Sequence, residues 1–390
     1  MTAINKENRR VCFVINSRAN YARIKSVLIE IQKRSDCELQ IVVGASGLLF
    51  RFGNVVDIIK RDGFTVNREV YSVVEGNEPI VMAKTTGLAI LELSQVFSEL
   101  KPDIVVTVAD RHETIATAIA ASYMNIMVAH TQGGEITGSI DESVRHACTK
   151  LSHLHFPATQ GAYENIIQMG EEKKRVHITG CPSLDFIDEN KSKDLNNILE
   201  KYLVNPKGIQ NLDFLLVLFH ADTQHYIEVS QATREILKAV KETNLPTIWL
   251  WPNVDAGTDY ISKELRKFRD SNPSSKIQFV RNFSPEEYVT VLNHTKCIIG
   301  NSSSGIRESS RTGTPSITIG SRQSGREMAE NVICLGKADS LIIKDKIIEQ
   351  VNHGKYDQSN LYGDGNAGKK IAEILCTTQI SIDKKFIPLR

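Results

Sequence analysis

Short apolar runs recur along this chain with helix-spaced segments between them, and the alternation is played through twice. The first series falls at residues 11–15, 39–43, 104–108, 126–129, 153–156 and 176–178, the second at 214–219, 247–250, 277–280, 297–299 and 316–319. A short run that is apolar at every position fits a strand buried on both faces, and a helical period after it carries the chain back across the sheet. The pattern therefore predicts βα repeats and parallel sheets. Between the two series, residues 188–213 are rich in Asn and Lys, contain Pro206-Lys207-Gly208 and lose the rhythm. The expected fold class is α/β, with two Rossmann-like doubly wound domains facing a cleft. Residues 1–187 form the first, 188–213 a linker and 214–365 the second, and a helix and tail at 366–390 pack back on the first domain. A length of 390 residues suits two domains at about 100–200 residues each.

Charge and cysteine content remove several function classes. Lys and Arg number 47 and Asp and Glu 46, so nothing in the totals points to a nucleic-acid or anionic-membrane partner. The seven cysteines are scattered and contain no C-x-x-C pair, which indicates neither a disulfide framework nor a zinc site. His153-x-His155 is weak evidence for a metal, and none is expected. The first ten residues lack an apolar h-region and no run of about 18 apolar residues occurs. A cytoplasmic enzyme is the expectation.

In open α/β sheets the ligand sits beyond the carboxyl ends of the strands, so the residues that follow each apolar run carry the most information. The strongest is Gly300-Asn301-Ser302-Ser303-Ser304-Gly305-Ile306-Arg307-Glu308, where an apolar run opens through small hydroxyl residues into a helix. Backbone N–H groups at such a helix start suit a phosphate, and Glu308, one turn on, can reach hydroxyls of the same ligand. Other runs end at Arg18, Asp110-Arg111, His130-Thr131-Gln132, His220, Asn253 and Arg281. Each has a plainer reading: Asp110 as a helix cap, Arg18 as a loop charge, His220 as a hydrogen-bonded edge histidine, Asp141 and Arg145 as an i,i+4 surface pair. Repetition at successive strand ends favours a site. Gly363-Asp364-Gly365-Asn366-Ala367-Gly368 spells G-x-G-x-x-G without an apolar strand leading into it, and reads instead as a turn before a helix.

The chain carries Arg18-Ala19-Asn20-Tyr21, Asp110-Arg111, Gly133-Gly134-Glu135, a run from Ser139 to His146, Gly180-Cys181-Pro182-Ser183, a run from Pro252 to Gly257, Gly300 to Glu308, Arg322 to Glu327 and Tyr362 to Ala367. In these runs it resembles the hydrolysing UDP-N-acetylglucosamine 2-epimerases of sialic acid synthesis and their relatives in legionaminic acid pathways. This resemblance implies a GT-B-like fold, no cofactor, a homo-oligomer (dimer or tetramer) and a UDP-N-acetylhexosamine substrate. It also implies two steps: loss of UDP from C1 and a proton from C2 to give a 2-acetamidoglycal, then addition of water with reprotonation of C2. By position Asp110, Asp141, Gln132 and His220 match catalytic residues, and Arg18, Arg111, Asn253, Arg281, Ser302, Ser303, Glu308 and Arg322 match substrate-binding ones. Two positions depart from the pattern: Gln132 stands where many relatives have Glu, and Asn20 where Asp is common. Gln132 leaves open whether Asp110, Asp141 or Glu135 takes the C2 proton, and whether the sugar is UDP-N-acetylglucosamine or UDP-2,4-diacetamido-2,4,6-trideoxyglucose. A GT-B glycosyltransferase, a UDP-sugar sensor that has lost catalysis and a non-hydrolysing 2-epimerase are the competing readings.

Overall fold

The computed structural model describes residues 8–49, 54–76, 78–137, 140–190, 193–209, 213–221, 228–252 and 258–388. They fall into two compact units, one of Met1–Glu135, Asp141–Asp185 and Gly363–Arg390, the other of Ile136–Ile140 and Phe186–Tyr362.

In the first unit six strands, β1 (Arg9–Ile15), β2 (Cys37–Gly44), β3 (Arg68–Val70), β4 (Ile104–Val108), β5 (Met127–Thr131) and β6 (Leu154–Phe156), form one sheet in the order β3-β2-β1-β4-β5-β6. Its pairings are all parallel. The second unit repeats the plan with β7 (Leu215–Leu218), β8 (Thr247–Leu250), β9 (Ile277–Val280), β10 (Cys297–Gly300), β11 (Ser316–Ile319) and β12 (Val332–Leu335), in the order β12-β11-β10-β7-β8-β9. Counted from the first strand of each unit, both orders are 3-2-1-4-5-6. The winding reverses between β1 and β4 in one sheet and between β7 and β10 in the other, and those reversals are where doubly wound sheets bind ligands.

Alternation along the strands explains why both faces are covered. Val11, Phe13 and Ile15 of β1 pack with Val27, Leu28 and Ile31 of the helix Lys25–Gln32 and with Ile371 and Leu375 of the helix Ala367–Thr377. Cys12 and Val14 point to the opposite face, with Val105, Val128 and the residues Leu93, Val96 and Phe97 of the helix Pro79–Leu100. Each fully buried Val, Leu, Ile or Phe contributes about 1.5–3 kcal/mol, so a strand clothed on both faces is held from both. Pro79–Leu100 is the one described helix long and apolar enough, by length and composition alone, to cross a bilayer; here its buried residues form part of this core.

Four expectations are corrected. The stretch 188–213 carries the helices Ile187–Asn190 and Leu195–Tyr202, and Ile198 and Leu199 are buried in the core of the second unit. Its polar surface hides apolar positions at helical spacing, so it is a layer and not a linker. Residues 176–178 make only a single bridge, Val176 to His155, and no strand. The edge strands β3 and β12 were not expected: β3 is three residues long and has no apolar run, whereas β12 is the apolar run Val332–Leu335 on a partly buried edge. Cys37 of β2 and Cys376 of the helix Ala367–Thr377 form a disulfide with Cα atoms 6.1 Å apart; 339 residues separate them in sequence, beyond any spacing rule. Residues 363–368, as expected, form a turn before a helix and no phosphate loop: the amides of Ala367 and Gly368 donate to the carboxylate of Asp185 (3.0 and 2.6 Å), which fills the start of that helix.

Candidate active site

At the first reversal the ends of β1 and β4 are tied by Asn20. Its side chain accepts from the Asn16 N–H (3.2 Å) and donates to the Val108 carbonyl (3.4 Å), while its own N–H donates to the Ser17 hydroxyl (3.1 Å). Arg18 opens the short helix Arg18–Ala22, half-buried just beyond β1. After β4 the chain turns through Ala109 at φ +62°, a left-handed conformation that costs a non-glycine residue about 1–2 kcal/mol. Such strain persists where the surroundings hold it: the buried His130 ring donates from Nε2 to the Ala109 carbonyl (2.8 Å), and Thr149 bonds the other ring nitrogen (3.3 Å). Because a carbonyl only accepts, Nε2 carries the proton. Burial presses the His130 pKa down to about 4, so the ring is neutral at pH 7.

The turn delivers Asp110, which does not cap the following helix. Arg111 holds the cap position and turns its guanidinium to Glu113 (3.2 Å). The Asp110 carboxylate is ion-paired with Arg145, which has no exposure at all and also donates to the Glu135 carbonyl (2.6 Å). Arg145 is therefore an interior group, not half of a surface pair with Asp141. Asp141 lies in the first turn of the same helix, Ile140–Leu151, and is half-buried. One strand over, Gln132 follows β5 with φ +59°, 1% exposed, its amide donating to Cys181 Sγ (3.4 Å). Gly134 beside it, at φ +79°, has the Ala162 carbonyl 2.1 Å from where a Cβ would sit, which fixes the course of this loop.

At the second reversal Asn301 does the tying. Its side-chain oxygen accepts from the His220 N–H and its amide donates to the His220 carbonyl, both at 2.8 Å, and its backbone N–H reaches the Leu218 carbonyl (3.1 Å). Gln323 donates to the Asn301 carbonyl (2.9 Å). His220 is thus fixed at the end of β7, 6% exposed, beside the loop that leaves β10. That loop departs from expectation. It is a 3-10 turn, Ser303–Gly305, followed by a helix of six residues, Arg307–Thr312. The amides of Ser304, Gly305 and Ile306 bond within the turn, to Ser302 Oγ and the Ser302 and Ser303 carbonyls. The side chains at this turn include half-buried Ser302 and Ser303, and Glu308, whose Oε2 is buried with no hydrogen-bond partner among the described residues. A buried carboxylate oxygen left without a protein donor can accept a hydrogen bond from water or from a ligand. The Tyr288 hydroxyl holds Ser304 Oγ at 2.6 Å, and burial raises its pKa, keeping it a neutral partner.

Arg322 follows β11, one strand from the reversal, and is half-buried. Arg281 is not brought to the cluster: it is exposed after the edge strand β9, two strands from β7 and so about 10 Å away along the sheet. Asn253 lies outside the described residues. His153 and His155 face protein partners, the Val128 N–H (3.1 Å) and Glu171 (3.2 Å). Among the described residues the one group with metal-ligand chemistry is Asp36, Cys37 and Cys376, and its two sulfurs are joined to each other. Sequence reasoning missed the structural parts played by Asn20, His130, Arg145 and Asn301. Arg145 carried a signal, since it shares a helical face with Cys148 and Thr149, all three buried.

Comparison with known proteins agrees with this plan. The family model for UDP-N-acetylglucosamine 2-epimerase matches residues 29–376. The UDP-N,N'-diacetylbacillosamine 2-epimerase (hydrolyzing) of Legionella pneumophila is 32% identical over 369 residues, covering 95% of this chain and 96% of that protein. The UDP-N-acetylglucosamine 2-epimerase of Neisseria meningitidis serogroup B is 30% identical over 387 residues, covering 98% and 99%. The crystal structure of UDP-GlcNAc 2-epimerase from Neisseria meningitidis bound to UDP-GlcNAc superposes with a TM-score of 0.78 at 19% identity over 94% of this chain and 99% of that one, a likeness of GT-B-like fold. With the family model spanning most of the chain and both relatives matched nearly end to end, the chain belongs to the UDP-N-acetylglucosamine 2-epimerase family.

Proposed function

We propose that the protein is a hydrolysing 2-epimerase of a UDP-N-acetylhexosamine, with the 2,4-diacetamido-2,4,6-trideoxy sugar as its substrate, serving legionaminic-type acid synthesis. Elimination breaks the C1–O bond, UDP leaves with the electron pair, and the C2 proton passes to a carboxylate, leaving the acetamidoglycal. Water then adds at C1 and C2 is reprotonated on the other face, which gives free sugar with inverted C2. Asp110 and Asp141 suit the proton transfers. Ser302, Ser303 and Glu308 suit the hydroxyls and phosphates of UDP, with His220 at the departing diphosphate. Arg18, Arg111 and Arg322 suit its negative charge.

The observation that carries the choice of sugar is Gln132. Its amide donates to a thiol, a weak acceptor, at 3.4 Å. Exchanging that partner for an acetamido carbonyl gains a stronger hydrogen bond. A glutamate carboxylate there could only accept, and would face that carbonyl without a donor.

The test is incubation of the protein with each UDP-sugar in the absence of any acceptor, followed by NMR of the products. UDP and a reducing 2-epimeric sugar are expected, formed faster from the diacetamido substrate. Gln132→Glu should lower turnover of that substrate and leave or raise turnover of UDP-N-acetylglucosamine. An intact 2-epimeric UDP-sugar would make the enzyme non-hydrolysing, a requirement for an acceptor would make it a glycosyltransferase, and binding without turnover would make it a sensor. A wild-type preference for UDP-N-acetylglucosamine, or equal losses on both sugars in the variant, overturns the choice of sugar.

A further inference from the structure

Resting on the reading above that Asp110 works on the sugar, we propose that Arg145 is the positioning residue that presents Asp110 as an ionised base and sets its aim. The guanidinium has no exposure, and it grips two elements at once: the Asp110 carboxylate on the turn after β4 and the Glu135 carbonyl (2.6 Å) on the loop after β5. A planar fork with several N–H donors can hold both in one geometry, which an ammonium group cannot.

Arg145 is the charged group whose ion pair with Asp110 is fully buried on the arginine side. From the helix Ile140–Leu151, Arg145 and Cys148 reach it electrostatically, and from β5 so does His130. Burial pushes the Cys148 thiol up to about 12 and the His130 imidazole down to about 4, so both are neutral near pH 7. Arg145 is a fully buried charge in contact with the carboxylate, and an adjacent cation favours the ionised form. Asp110 is therefore suited to receive the C2 proton in the first step rather than to donate one. Arg145 itself needs no contact with the substrate.

Two arms test this. In the first, protein labelled with 13C at the aspartate carboxylates is titrated by NMR without substrate, the Asp110 resonance being identified by its loss in Asp110→Asn. Arg145→Met should move the Asp110 titration upward by a pH unit or more, and Arg145→Lys by much less. In the second, steady-state kinetics should show kcat lowered about 100-fold in Arg145→Met, the scale of general acid-base catalysis, with KM changed far less. The acid limb of the kcat/KM profile should rise in step with the NMR titration. Arg145→Lys should keep the wild-type limb and recover only part of kcat, because the charge remains and the fork is lost. Unchanged UDP affinity confirms that the variants are folded. If Arg145→Met fails that control, Arg145→Lys alone decides: wild-type kcat there overturns the proposal. So does an Asp110 titration that is the same in wild type and Arg145→Met. A wild-type protein inert on both UDP-sugars would defeat the functional reading while the NMR arm still judged Arg145.

Discussion

Acid should weaken the first unit well before its carboxylates protonate, because of His130. The ring is fully buried, donates to the Ala109 carbonyl, and has its pKa pressed from 6.5 to about 4 by loss of solvation. In the unfolded chain it titrates at its ordinary value. A folded pKa below the unfolded one means that, between the two, the unfolded state binds the extra proton, and stability falls as pH falls. The contribution is fully present above about 6.5 and is lost progressively toward 4. Each pH unit in that window corresponds to about 1.4 kcal/mol per group, so passing from pH 7 to pH 5 removes about 2 kcal/mol through His130 alone. His153 and His155 are displaced in the same direction by burial and add to the slope.

His130→Gln isolates the term, since the amide nitrogen can still donate to Ala109 but cannot titrate. Both tryptophans, Trp249 and Trp251, lie in the second unit, so fluorescence would miss the event. Hydrogen exchange of peptides covering residues 104–132, corrected for intrinsic rates, reads it directly. Wild-type protection should fall about thirtyfold more than that of His130→Gln between pH 7 and pH 5, the equivalent of about 2 kcal/mol. Equal falls in the two proteins would refute a neutral, buried His130 as a source of acid sensitivity.

Gly300→Ala should destabilise the second unit by about 3 kcal/mol or more, read as an earlier tryptophan unfolding transition in urea, because Gly300 has φ +143° and an added Cβ would sit 1.8 Å from the Leu218 carbonyl oxygen. Ser303→Ala and Glu308→Ala should each weaken UDP binding about tenfold by calorimetry without shifting that transition, the scale of a lost hydrogen bond to a charged group. Unchanged affinity in both would remove the nucleotide from this turn.

The sheets were largely readable from the chain because their inner strands are buried on both faces. Residues 104–108, 247–250 and 316–319 coincide with the inner strands β4, β8 and β11, and 277–280 with the edge strand β9. Burial on both faces erases alternation and leaves a solid apolar run, a signal local to the sequence. The edge strand β3 lacks that signature, whereas β12 carries it as Val332–Leu335 although its edge position leaves it only partly buried. The strand ends that carry Asp110, Gln132 and His220 were readable for the same reason, since a polar residue directly after such a run has few places to go. What stayed hidden depends on pairings made across long intervals. Arg145 meets Asp110 from 35 residues away, and Asn301 grips both backbone groups of a residue 81 positions earlier. An arginine in a helix looks the same in sequence whether it faces water or a carboxylate.

The two departures from the family pattern separate on the hydrogen bonds they make. Asn20 needs both halves of its amide: the oxygen accepts from the Asn16 N–H and the nitrogen donates to the Val108 carbonyl, tying β1 to β4 at the point where the winding reverses. An aspartate could make the first bond but would set a carboxylate oxygen against the second carbonyl, in a position only 1% exposed. The departure at 20 is thus accounted for by backbone geometry, with no ligand required. Gln132 is held differently. Its left-handed backbone fixes where the side chain starts, its N–H is held by the Phe156 carbonyl (2.9 Å), and its amide rests on a sulfur that asks little of it. A carboxylamide oriented this firmly is the feature on which the proposed preference for a second acetamido group turns.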